Sequence, residues 1–508
     1  MQPFLADTCI VDTSICREGY VLNNHKGLTA WQLMMLALGT VIGGSFFLGS
    51  AVAIRAAGPG IMISFVIGGV LVYAVLYALS EMTVADPAPG SFRTFAEKAY
   101  GPMAGFVVGW VYWTGMVLAM SSEAIAVSAL IKNWIPAIAV PLLGSMVIVL
   151  VTALNLFGAD RLSKLESGLA AVKLSAIIGF ILLGAAIMAG FWGEGGSRSP
   201  LADTAQPILP AGLGGLAGSM LIVMFSYAGF EIIGLAASET SNPVQTVPQA
   251  IRYTVAVLVV LYVATMGMLL LLVPANSLPV DQSPLVSVLL AWNFTWAANV
   301  MATVLVTAIL STMLAAMFGL GRMLRSLAEE GHAPIWIQDS GAVPYKGIIL
   351  SGIAMLAGLG LGLLLPEQVY LFLVSSGGFS LLFSYAVILL THYKLRSIQG
   401  CPPAGKCQLP GYPFTSWLAI TGIVAVIFSM PLIPGQGSGL VAGLVLVLVV
   451  SLGYGINKAV GTQKMFSHKG RIAWHQLNKA RKMQFETARE LLPTVKDEHP
   501  SQAKKKQK

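Results

Sequence analysis

Apolar runs of about 20 residues recur along almost the whole chain, and they constrain its fold more than any other feature. A bilayer core about 30 Å thick is crossed by a helix of about that length. In lipid every backbone N–H and C=O must find a partner inside the protein, so such runs must be helices. A barrel of strands is excluded because the runs do not alternate polar and apolar with period 2. Composition agrees: 56% of the 508 residues are hydrophobic and 10% charged. A soluble chain carries about 25% charged residues, so there is too little polar surface here to cover a water-soluble globule. The expected fold class is an all-α polytopic membrane protein with about 12 transmembrane helices. The spans fall near 29–56, 60–80, 103–131, 141–158, 165–191, 212–236, 250–274, 295–320, 347–365, 369–392, 414–433 and 438–457.

Lysine and arginine set the orientation. One set of loops carries Arg93, Lys98, Arg161, Lys164, Arg252, Arg322, Arg325, Lys346, Lys394, Arg396 and Lys406; the opposite set has only Arg55, Lys132 and Arg198. Both termini are therefore expected in the cytoplasm. This gives a cytoplasmic N-terminal tail over 1–28, a membrane domain over 29–458 and a basic cytoplasmic tail over 459–508. From Lys458 onward there are thirteen Lys or Arg against four Asp or Glu, a topology anchor beside an anionic leaflet. The net charge of +8 needs no nucleic-acid partner. The first 28 residues hold no short apolar run of the signal-peptide kind. Cys9, Cys16, Cys401 and Cys407 all fall on the expected cytoplasmic side, where thiols stay reduced, and none has metal-ligand spacing.

Two helices are interrupted by small residues in mid-span. The first reads Gly39-Thr40-Val41-Ile42-Gly43-Gly44-Ser45-Phe46, the sixth Phe225-Ser226-Tyr227-Ala228-Gly229-Phe230-Glu231. Each opens a five-helix block, about 29–191 and 212–392, and because five is odd the blocks have opposite topology. Breaks at matching positions in two halves point to a transporter's binding site. The first half-helix N-terminus past a break attracts an anion such as an α-carboxylate; freed carbonyls attract a cation such as an α-ammonium. The substrate-binding set expected from this is Ile42, Gly43, Gly44, Ser45, Phe225, Ser226, Tyr227, Ala228 and Gly229. Phe225 and Tyr227 flank the second break, where an aromatic ring could close over a bound amine. Glycines of this kind also serve close helix packing.

Ionisable groups inside a span cost about 2.5–3.5 kcal/mol each on insertion scales and ask for a reason. Glu231 sits two residues past the second break; it is either a proton carrier or a structural acceptor for backbone freed by that break. Lys173 in span five either takes the place of a bound cation or snorkels to the interface. Glu123 in span three either partners Lys173 or lines the pocket, where it would favour a cationic side chain. Glu81 ends span two and is expected at the cytoplasmic gate near Arg93 or Arg322. Trp110 and Trp113 read as packing residues. No Walker A string, zinc-ligand spacing or Ser-His-Asp arrangement appears, so no cofactor and no metal are expected, and energy should come from a gradient.

Four strings resemble the amino acid–polyamine–organocation superfamily, in its bacterial amino acid permease branch. They are Ile42 to Phe47, Ala78 to Phe92 (ALSEMTVADPAPGSF), Phe225 to Ile251 (FSYAGFEIIGLAASETSNPVQTVPQAI) and Gly321 to Tyr345 (GRMLRSLAEEGHAPIWIQDSGAVPY). The stretch Ser375 to His392 is similar to that family's tenth helix. The resemblance implies a five-plus-five inverted repeat of the LeuT type with two extra C-terminal helices at 414–457. It also implies an amino acid held by its α-carboxylate and α-amine between helices one and six. A fifth-helix lysine in sodium-independent relatives is thought to stand in the sodium position, and Lys173 resembles it. This chain has Gly44-Ser45 where the family more often has a small hydroxyl residue followed by glycine, which leaves the carboxylate contact open between 44 and 45. The function so implied is import of amino acids across the bacterial plasma membrane by alternating access, with a proton as the co-substrate and Glu231, Lys173 and Glu123 as coupling or gating residues. An amino acid–amine exchanger of the same fold and a non-translocating sensor are the alternatives. No enzymatic activity is expected.

Overall fold

The computed structural model describes residues 29–459 apart from 87, 89, 133, 158, 192–206, 232, 235–239, 241, 280–281, 340, 342, 365–368 and 402–408. Both tails, Cys9, Cys16, Arg198, Lys406 and Cys407 lie outside the described residues. Helix α1 (Ala30–Val41) starts at a reciprocal cap in which Thr29 Oγ1 accepts from Gln32 N and Gln32 Oε1 accepts from Thr29 N. It stops at Ile42 and Gly43, and the chain restarts as one π-helical turn (Ser45–Gly49) and α2 (Ser50–Ala57). Gly58, with a φ of +58°, reverses the direction into α3 (Ile61–Ala85). The amphipathic α4 (Phe92–Tyr100) precedes α5 (Pro102–Lys132), α6 (Val140–Asn155) and α7 (Ala159–Met188).

The second half opens with α8 (Gly212–Ser226), which ends in an irregular turn running from Tyr227 to Glu231. Then come α9 (Pro243–Leu272), the short α10 (Pro284–Ala291), α11 (Thr295–Glu329), α12 (Tyr345–Leu364) and α13 (Val369–Gln399). The last two are α14 (Phe414–Ser429) and α15 (Gly437–Ala459). No strand occurs among the described residues. Among the described residues eight stretches are long and apolar enough to cross a membrane, one of them the reversed pair Ser45–Ala85, and four shorter apolar helices account for the rest of the expected spans. The chain is an all-α polytopic membrane protein.

Several boundaries move from the sequence expectation. Helix α9 begins at Pro243 rather than 250, because a proline at the first helical position gives up an N–H that has no intrahelical acceptor there anyway. Helix α11 runs to Glu329 rather than 320, since its arginines suit a helix that has left the membrane. Helix α10 had no counterpart among the expected spans. Cys401 is disulfide-bonded; the expectation of free thiols rested on compartment and took no account of local proximity.

Burial orders the bundle. The membrane-spanning windows of α13 and α5 are 83% and 72% buried, against 17% for α15. So α5 and α13 run through the centre, while α15 shows Leu444, Leu448 and Leu452 outward, as a helix facing lipid should.

Candidate functional site

The two helix breaks meet in the middle of the molecule. Gly229 has a φ of +102°, and a Cβ built on it would lie 2.8 Å from the Thr40 carbonyl oxygen. Only glycine lets the chains approach so closely. Two hydroxyls tie the breaks together: Thr40 Oγ1 donates to Gly229 O at 3.1 Å, and Ser45 Oγ donates to Phe225 O at 3.2 Å. Gly43 faces Thr312 of α11, whose side chain would stand 3.1 Å from an added Cβ.

Each unwound turn leaves backbone groups without helical partners, and charged side chains and hydroxyls share them. At the C-terminal end of α1, Lys173 Nζ from α7 donates to Gly39 O at 2.7 Å. The lysine is 1% exposed, so it does not snorkel; it places a cation at the negative end of a half-helix. At the restart, Gly44 N donates to Glu123 Oε2 of α5 at 3.0 Å. At the second break Gly229 N donates to Glu231 Oε2 at 3.1 Å, Tyr112 Oη to Glu231 Oε1 at 2.9 Å and Tyr385 Oη to Oε2 at 3.4 Å. Tyr262 Oη caps the freed Ser226 O at 2.9 Å.

Between the breaks lies a cavity. One wall is backbone and small side chains of the breaks: Thr40, Val41, Gly43, Ser45, Ala228 and Gly229. The opposite walls come from α5 (Tyr112, Met116, Met120, Glu123) and α11 (Thr312, Ala315, Ala316, Gly319, Leu320), with Phe225 and Glu231 completing the lining. A polar strip that can meet the common part of an amino acid thus faces a soft, mostly apolar wall with room beside the small residues of α11.

The residues expected from sequence separate into three groups. Gly43, Ser45, Phe225, Ala228, Gly229, Glu123 and Glu231 line the cavity. Gly44 presents its N–H to Glu123, and Lys173 stands behind α1. Ile42, Ser226 and Tyr227 lie away from the cavity. Ile42 is fully buried, and Ser226 Oγ bonds back to Ile222 O. Tyr227 points into an aromatic cluster with Phe65 and Tyr262, its hydroxyl on Phe65 O at 2.8 Å, so it is not placed to close over an amine. The turn after Ser226 rotates position 227 outward while leaving Phe225 inward.

Glu81 meets neither Arg93 nor Arg322. It accepts from His392 Nε2 at 2.7 Å, from Arg396 at 3.3 Å and from Leu409 N at 2.6 Å, because that side of α3 packs on α13. Arg93 instead reaches Glu330 at 2.6 Å and Glu97 at 3.5 Å, and His332 joins Glu97 at 2.9 Å. Burial raises the Glu97 carboxyl, but the hydrogen bond and charge of His332 and the charge of Arg93 outweigh it and hold Glu97 below the usual carboxylate range. Partial burial pushes the Glu330 carboxyl up, with Arg93 offsetting part of the effect.

Sequence reasoning did not include Thr40 and, apart from Glu123, numbered none of the residues on the α5 and α11 walls. A signal existed: Tyr112, Met116 and Met120 are spaced by four, with Glu123 three further on, so they share one helix face. Thr312, Ala315, Ala316, Gly319 and Leu320 do the same on α11.

Comparison with known proteins agrees with this geometry. The family model for amino acid permeases matches residues 32–469. The aromatic amino acid transport protein AroP of Escherichia coli K12 is 32% identical over 436 residues, covering 84% of this chain and 94% of its own. AroP of Salmonella typhimurium LT2 is 32% identical over 435 residues, with 84% and 94% covered. The gamma-aminobutyric acid permease of Bacillus subtilis 168 is 32% identical over 443 residues, with 83% and 92% covered. The chain belongs to the amino acid permease family, whose members are membrane transporters of amino acids and not enzymes.

Proposed function

We propose that the protein imports a neutral amino acid across a bacterial plasma membrane by alternating access, driven by protons, with both termini in the cytoplasm. The observation that carries this reading is Lys173 on Gly39 O. The end of a broken half-helix offers carbonyl oxygens that a bound sodium ion would otherwise satisfy, and here an ammonium takes one of them. A built-in cation removes the need for sodium at that place. Glu123 and Glu231 are buried carboxyls in the cavity wall, and desolvated carboxyls are the groups that bind and release protons during a transport cycle.

Met116, Met120, Phe225 and Leu320 favour an apolar substrate side chain, since thioethers pack well against aromatic rings. This fits relatives named for aromatic amino acids better than a cationic substrate, because Glu123 is engaged with Gly44. The loop charges support cytoplasmic termini, and the basic tail suits contact with anionic lipid.

The test is uptake into proteoliposomes with an imposed pH gradient. Wild type should accumulate substrate, and a protonophore should abolish the accumulation. Lys173→Ala and Glu231→Gln should lose the pH-driven component yet still bind substrate. Full gradient-driven uptake by both variants would remove the coupling mechanism; uptake that needs counter-substrate inside the vesicle would make the protein an exchanger.

A further inference from the structure

Two carboxylates of the chain sit on backbone N–H groups freed by the breaks, but they are held differently. Glu231 receives three donors from three elements: Gly229 N, Tyr112 of α5 and Tyr385 of α13. It is fixed. Glu123 accepts from the backbone at Gly44 N, and the positive charge acting on it is that of Lys173. The fit at Gly44 is close: a single added Cβ would fall 2.1 Å from Glu123 Oε2.

The N–H groups that Glu123 covers open the half-helix restarting after the first break. Such a terminus binds a carboxylate through its backbone donors and its positive dipole end. An amino acid's α-carboxylate has the same charge, planarity and acceptor geometry as the Glu123 side chain. Both cannot occupy Gly44 together, because two carboxylates on one N–H would repel in a buried site. Lys173 offers Glu123 another partner.

We propose that Glu123 is a resident stand-in for the substrate carboxylate: a zwitterionic substrate takes Gly44 by displacing Glu123 toward the Lys173 ammonium. This rests on the reading of the cavity as the substrate site. The displacement also links binding to movement. Lys173 anchors the end of α1 through Gly39 O, so a carboxylate arriving at Lys173 weakens that anchor and frees α1 to move. Glu123 is then a positioning residue whose removal should help the carboxylate end of the substrate and not its amine end.

The experiment uses the full chain purified in detergent. Thermal shift against the common amino acids identifies a ligand, and calorimetry compares it with its decarboxylated amine in wild type, Glu123→Ala and Glu123→Gln. The expected result is tighter amino acid binding in Glu123→Ala by about ten- to a hundred-fold, the worth of a hydrogen bond to a charged group. The amine should bind no tighter. Acetate, used as a probe, should stabilise Glu123→Ala by filling the vacated backbone donors and leave wild type unchanged. If Glu123→Ala does not fold, Glu123→Gln should still tighten the amino acid and not the amine, since a neutral amide is the easier group to displace. Weaker binding of both ligands in either variant would make Glu123 a fixed ligand for the substrate ammonium and overturn the proposal. No amino acid binding in wild type would overturn the substrate-site reading itself.

Discussion

Gly229→Ala tests whether the meeting of the two breaks is what makes the site. At a φ of +102° an L side chain is strained, at a cost of about 1–3 kcal/mol. The new methyl would also lie 2.8 Å from the Thr40 carbonyl oxygen and 3.0 Å from its carbon. Backbone cannot swing aside as a side-chain tip can, so the breaks must separate. Separation removes the bond from Thr40 Oγ1 to Gly229 O, worth about 1 kcal/mol. The sum is about 2–4 kcal/mol. Where that penalty falls on the binding-competent arrangement alone, the apparent Kd rises by about thirty- to a thousand-fold. Calorimetry with the best amino acid ligand reads the effect, and a thermal melt in detergent separates lost affinity from lost fold. Gly267→Ala in α9 is the control, because its Cβ would meet only Met62 Sδ at 3.5 Å; its Kd should equal wild type. A Gly229→Ala protein with Kd and uptake within two-fold of wild type would refute the argument.

Three further outcomes follow from the geometry. Gly319 lines the cavity with no atom within 4 Å of an added Cβ, so Gly319→Val should melt like wild type. It should weaken amino acids with large side chains by about 1–3 kcal/mol and spare alanine, as read by competition for uptake. Tyr262→Phe removes the donor on Ser226 O and should cost about 1–3 kcal/mol of stability, seen as a lower melting temperature with little change in Kd. Glu97 is held below the ordinary carboxylate range. Its contribution to stability is therefore complete above the unfolded value and lost as pH falls through the lower folded one. The melting temperature of Glu97→Gln should lie below wild type at pH 7 and converge with it only as the pH falls below the ordinary glutamate value of about 4.3.

The helix breaks were legible because glycine clusters in apolar spans are costly unless used. Lys173 and Glu231 were legible because a charge in a span is costlier still. The remaining departures come from information a sequence does not carry locally. Tyr227 turns away because the dihedrals of an irregular turn decide which residues face inward, and residue type leaves those dihedrals open; Ser226 closes its hydroxyl on the helix instead. On α5 and α11 the spacing groups residues on one face but does not say that this face meets the cavity. Both helices are buried on several sides, so no polar stripe marks the cavity face and methionine or alanine looks the same wherever it points. Glu81 was expected near Arg93 or Arg322, but charge alone does not choose among the basic residues at its end of the bundle. Its pairing with His392 and Arg396 depends on how α3 lies against α13, which is a matter of tertiary packing.

The central claim is that an amino acid binds by its common part between the two breaks. A high-resolution structure of the substrate-bound protein tests it most directly. The account predicts the α-carboxylate on Gly44 N, the ammonium on freed carbonyls of the breaks, the side chain against Met116, Met120 and Gly319, and Glu123 turned toward Lys173. A substrate bound elsewhere in the bundle, or one whose carboxylate avoids Gly44 while Glu123 stays in place, would contradict it.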